Sequence, residues 1–193
     1  MPESKAPEEI LSFWFGEARD DAAYYTERSA VWFTQNPQFD QDIRARFAMD
    51  YDRAADRKLF YWRDTPRTGL ALVVLLDQFP RNMFRGDPRA FATDPLAREV
   101  AEHLIQAGFD RQLLPVERVF AYLPFMHSEN RADQRRSVAL FEQLARECGY
   151  LDVVSYAINH MEIIERFGRF PHRNATLGRP STPEEVEFLH QSG

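Results

Sequence analysis

The feature that most constrains this chain is where its prolines and glycines fall. There are 12 prolines and 8 glycines, and most prolines stand where a helix would begin. Proline fixes φ at a helical value and offers no N–H, so the first turn of a helix tolerates it and the interior does not. Asn36 or Thr34 before Pro37, and Thr65-Pro66, Asp87-Pro88, Asp94-Pro95 and Thr182-Pro183, each pair a capping side chain with a proline, and Pro115 opens a further segment. Gly108 and Gly149 stand where helices would stop.

Between these marks the apolar residues recur at helical spacing. Phe39, Ile43, Phe47 and Tyr51 repeat every fourth position among charges, as do Leu96, Val100, Leu104 and Ile105. A segment from Arg131 to Glu147 carries Val138, Leu140, Phe141 and Leu144, and Leu151 to Phe167 follows the same pattern. Thr182 with Glu185 three residues later predicts a capping box. Leu70 to Leu76 has no polar face, which predicts a central helix enclosed by neighbours. Alternating strand patterns and Asn-Gly or Asp-Gly hairpin turns are missing. The expected fold is therefore all-α: stacked antiparallel helical hairpins forming a short superhelix or irregular bundle, in one domain over residues 1–193.

Charge and length narrow the function classes. At 193 residues and 44% apolar content the chain can bury a sizeable core, and its net charge of −6 disfavours a nucleic-acid or anionic-membrane footprint. The single cysteine, Cys148, excludes an internal disulfide. The longest apolar run is too short to span a bilayer, and the charged start MPESKAPEEI does not read as a signal peptide. A cytoplasmic protein is expected.

Familiar catalytic signatures, from phosphate-binding glycine loops to HExxH and GxSxG, are missing, and no organic cofactor or metal is expected. Three polar groups remain. Arg166, Arg169, His172, Arg173 and Arg179 follow one another with no acidic residue between them; they either hold an anion through guanidinium forks or pair with carboxylates such as Asp77 or Glu129. Asp77, Gln78, Arg81, Asn82 and Arg85 follow the predicted buried helix and either cap it or line a cleft at its mouth. His127 and Glu129, with His160 on a later helix, supply acid–base side chains at a spacing that matches no standard zinc motif. Phe13, Trp14, Phe15, Trp32, Phe33 and Trp62 are expected in the core rather than as a stacking platform. An internal echo links FPRNMFRG and FPHRNATLG: each has Phe-Pro followed by Arg-Asn. The echo is either turn chemistry or two Arg-Asn pairs converging on one anion.

The segments SFWFGEA, LDQFPRNMFRGDPRAFATDPLA, LPFMHSEN and HMEIIERFGRFPHRNATLGRPSTPEEVEFL together resemble the bacterial domain-of-unknown-function family 924 over nearly the whole chain. That resemblance implies an all-helical fold with tetratricopeptide-like hairpins and no established activity. It also directs attention to the polar positions of those segments: Arg81, Asn82, Arg85, His127, Glu129, His160, Arg166, Arg169, His172, Arg173 and Asn174. The expected function is a binding module that captures an anionic small molecule or an acidic peptide in an arginine- and histidine-lined cleft. The alternative is a cofactor-independent hydrolase or lyase in which a His/Glu pair acts while arginines hold an anionic substrate.

Overall fold

In a computed structural model of the chain the described residues are 7–18, 22–149 and 151–191; the charged start up to residue 6 lies outside them. In chain order the helices are α1 (Pro7–Phe15), α2 (Ala22–Phe33), α3 (Pro37–Ala55), α4 (Pro66–Val73), α5 (Phe79–Met83), α6 (Asp94–Gln106), α7 (Pro115–Met126), α8 (Arg131–Cys148), α9 (Leu151–Phe167) and α10 (Pro183–Gln191). No strand occurs among the described residues, and among them no helix is long and apolar enough to cross a membrane.

Each cap works as its chemistry requires. The Asn36 side chain accepts from the amides of Gln38 and Phe39 at 3.0 and 3.2 Å, and Thr65 accepts from Thr68 at 3.4 Å. Thr182 and Glu185 close a reciprocal box: the Thr182 amide donates to Glu185 at 2.7 Å and the Glu185 amide to the Thr182 hydroxyl at 3.2 Å. Gly149 ends α8 with φ +78°, a conformation that costs a side-chain-bearing residue roughly 1 kcal/mol. Two starts differ from expectation. Asp87-Pro88 opens only a 3-10 turn over Pro88–Phe91, and α6 begins with Asp94 inside the helix, Thr93 being its cap residue. Neither serves as a side-chain cap for α6, because both are used elsewhere.

α4 is the central helix; Leu70, Ala71, Leu72 and Val73 have no exposure, and α1, α6 and α7 pack around it. Gly69 lets α6 approach closely, since a Cβ there would lie 2.5 Å from a Leu104 methyl. In the C-terminal part α7 packs on α8 and α8 on α9 in succession. The aromatic group is core: Trp14 and Phe120 meet edge to face at 5.7 Å, and Trp32 and Phe120 at 4.7 Å. Burying each such ring contributes roughly 2–3 kcal/mol. Phe33 is the exception, 56% exposed.

Candidate functional site

The site grows from one local irregularity. Between α4 and α5 the chain makes a π turn over Val74–Gln78, in which the Phe79 amide bonds the Val74 carbonyl. Pro80, two residues into α5, has no N–H to offer the Leu76 carbonyl at α-helical spacing. That carbonyl instead accepts the Thr93 hydroxyl at 2.6 Å. The expected end of the core helix is thus a widened turn that carries on into α5, and Asp77 and Gln78 sit within it rather than at a mouth. Single π turns of this kind recur at functional sites.

Asp77 has no exposure. Its carboxylate accepts from His127 Nδ1 at 2.8 and 3.0 Å and from the Gln78 amide at 2.5 Å, with Arg81 Nη1 at 3.3 Å. Burial alone would raise the Asp77 pKa, but Arg81 and His127 outweigh it and hold the carboxyl ionised, below its usual range. An ionised carboxylate only accepts, so His127 must carry its proton on Nδ1. His127 caps the C-terminus of α7. Burial, with the nearby Arg81 charge, lowers its pKa against the pull of Asp77; the ring is neutral at physiological pH and Nε2 is a bare acceptor. Glu129 is not the orienting acid, because Arg179 grips both its oxygens at 2.7 and 2.9 Å and the Phe170 amide donates to it at 2.8 Å. Ser128 donates to Asp133 at 2.6 Å.

His127 and His160 line one cavity of about 300 Å³, walled by Tyr25 and Phe33 of α2, Val119, Leu123 and Met126 of α7, Phe141 of α8, and Val153 and Tyr156 of α9. His160 Nδ1 lies 2.8 Å from the Tyr156 carbonyl one turn back. A carbonyl only accepts, so here too the proton is on Nδ1 and Nε2 is bare. Burial pushes the His160 pKa down to about 4, and its ring meets Phe170 at 5.5 Å.

The arginines are placed otherwise than an arginine-lined cleft requires: none lines this cavity. Arg81 clasps Asp94 with both terminal nitrogens at 2.8 and 3.0 Å, and Arg173 reaches the same carboxylate at 3.4 Å while donating to the His127 carbonyl at 3.0 Å. Arg85 and Asn82 both bond Asp40. Arg166 pairs with Glu184 and Arg169 with Glu185. Asn174 donates to Ser181 and Glu185, and His172 packs its exposed ring on Phe170 at 5.5 Å. The sequence echo therefore has a structural counterpart, in which Arg81 and Arg173 converge on a carboxylate of the chain itself and the two asparagines go elsewhere. Arg173 is the least satisfied member: it is buried between Phe91 and Phe170, its Nε has no partner, and burial beside Arg81 lowers its pKa to about 10. Among the described residues no three His, Cys, Asp or Glu side chains gather as a metal shell would.

Sequence reasoning placed Asp77 and His127 in separate groups and missed the cavity walls. Fifty residues of chain separate this carboxylate from its imidazole, and only the Phe-Pro pair, a signal for irregular helix, hints at the turn that joins them.

No curated protein matches the chain. A solved structure described as a protein of unknown function, ATU0120 from Agrobacterium tumefaciens, is similar at 40% identity with a TM-score of 0.82, covering 96% of this chain and 97% of that one. A model of bacterial proteins of unknown function, DUF924, matches residues 10–193, and the chain, all-helical like that neighbour, belongs to this family.

Proposed function

We propose that the protein is a binding module that admits a small, largely apolar molecule to the cavity between α2, α7, α8 and α9. One observation carries this reading: a largely apolar recess of about 300 Å³ is lined by two imidazoles, those of His127 and His160, with Tyr25 and Tyr156 as its other polar-bearing residues. Small-molecule sites share that composition, apolar walls with a few placed polar groups. The recess is ample, since an apolar void of about 150 Å³ already accepts benzene. The arginines enter as structural partners of carboxylates, so capture of an anion by a guanidinium cluster is not the mode that this geometry favours. The test is a thermal-shift screen of aromatic and aliphatic compounds with the wild type and Leu123→Trp, whose added ring fills the cavity. Ligands should raise the melting temperature of the wild type alone; equal shifts in both proteins would place the binding elsewhere.

A second reading, a cofactor-independent hydrolase or lyase, is favoured by the Asp77–His127 pair. A carboxylate that fixes the Nδ1 proton leaves Nε2 as a general base facing bound substrate. It requires turnover of a cavity ligand that His127→Gln abolishes.

A further inference from the structure

The two imidazoles carry a chemical preference as well as a shape. Each donates its Nδ1 proton to a group that can only accept: His127 to the Asp77 carboxylate and His160 to the Tyr156 carbonyl. Neither Nε2 has a hydrogen-bond partner among the described residues, and both rings line the same cavity. The two imidazoles thus bring lone pairs and no proton to an apolar site whose other polar-bearing lining residues are Tyr25 and Tyr156. A ligand bringing a carboxylate or phosphate would set its own lone pairs against them, and an ammonium would lose its hydration within apolar walls. A hydrocarbon would leave both nitrogens dry and unpaired. An uncharged hydroxyl supplies the missing donor at little desolvation cost. The walls favour a flat body, since Tyr25, Phe33, Phe141 and Tyr156 contribute rings.

The geometry points to an uncharged aryl alcohol as the class of molecule this cavity takes, its hydroxyl donating to Nε2 of His127 or His160 and its ring among the aromatic walls. This rests on the binding-module reading above and adds the ligand class to it.

The experiment is calorimetric titration of the full chain at neutral pH with β-naphthol, naphthalene and β-naphthoate, which share one ring system. Naphthol should bind roughly tenfold more tightly than naphthalene, the worth of about one net hydrogen bond, and naphthoate more weakly than either. In His160→Phe naphthol should lose part of its advantage while naphthalene binding persists. His127→Phe strands the Asp77 carboxylate and is apt to unfold, so His127 is read in the wild type instead. Its Nε2 chemical shift, or that of His160, should move toward the hydrogen-bonded range on naphthol binding and stay put with naphthalene. Equal affinity for naphthol and naphthalene, or a preference for naphthoate, overturns the ligand class and leaves the cavity reading standing. Binding of none of the three overturns both.

Discussion

Arg81 and Arg173 share one carboxylate, that of Asp94, but they hold it unequally: Arg81 makes two bonds at 2.8 and 3.0 Å, whereas Arg173 makes one at 3.4 Å. Arg81 also carries the charge of buried Asp77, at 3.3 Å. Removing one partner of a buried pair strands the other, and that loss exceeds the worth of the pair itself. Arg81→Met should therefore destabilise the fold by roughly 3–5 kcal/mol, the range for a broken buried pair. Arg173→Met leaves Asp94 with Arg81 and removes an unsatisfied Nε, but it also removes the donor to the His127 carbonyl and the guanidinium stacked between Phe91 and Phe170, so it should cost roughly 1–3 kcal/mol, less than Arg81→Met. Urea unfolding of both variants decides the matter; equal losses would mean that the second arginine is as structural as the first.

The same reasoning ranks substitutions of the histidines. His127→Ala removes a donor from a fully buried carboxylate and should cost about 3 kcal/mol. His160 donates to a carbonyl in its own helix, which already has a backbone partner available at that spacing, so His160→Leu should change stability by under about 1 kcal/mol. Chemical denaturation that finds the His160 variant the weaker of the two would contradict the assigned bonds.

Acid should loosen the fold before the carboxylates titrate. His160 has its pKa depressed from 6.5 to about 4 by burial, and burial lowers that of His127 as well. A base whose pKa is lower folded than unfolded takes up more protons when unfolded across that window, so stability rises with pH there. The contribution is complete above the unfolded value of 6.5 and is lost as pH falls toward 4. Melting temperatures recorded across that interval should fall in the wild type and fall less steeply in His160→Leu. A flat wild-type profile would show that the imidazoles remain solvated.

The fold was legible because its information is local. Asn36-Pro37, Thr65-Pro66 and Thr182 with Glu185 each set a helix start through contacts within a few residues, and Leu70 to Leu76 announces its own burial. Asp87-Pro88 misleads for the same reason: the local signal is right and Asp87 does cap, yet a cap sets where a turn begins and not how long it runs, and here it runs only as a 3-10 turn. The site was legible only in its ingredients. His127, His160, Arg81 and Arg173 stand out by type, but whether an arginine faces ligand or carboxylate depends on distant Asp94, Asp40, Glu184 and Glu185, and spacing cannot report that. The cavity walls are ordinary apolar residues, indistinguishable in sequence from the core beside them.

The π turn can be tested through the carbonyl it frees. Pro80 cannot donate to Leu76, and the Thr93 hydroxyl takes the role at 2.6 Å, with Thr93 only 4% exposed. Thr93→Val keeps shape and removes that donor, so it should destabilise by roughly 1–3 kcal/mol, the cost of an unpaired buried carbonyl. Pro80→Ala supplies an N–H at α-helical spacing and allows the turn to tighten. In the double variant that amide replaces the lost hydroxyl, so the two changes should be non-additive, the pair costing less than the sum of the singles by about 1 kcal/mol. Tightening would also rotate Asp77 relative to His127, and the Pro80→Ala protein should lose ligand-induced stabilisation even where its fold is intact. Strict additivity in the double-mutant cycle, or full ligand response in Pro80→Ala, would show that the widened turn does not depend on this proline.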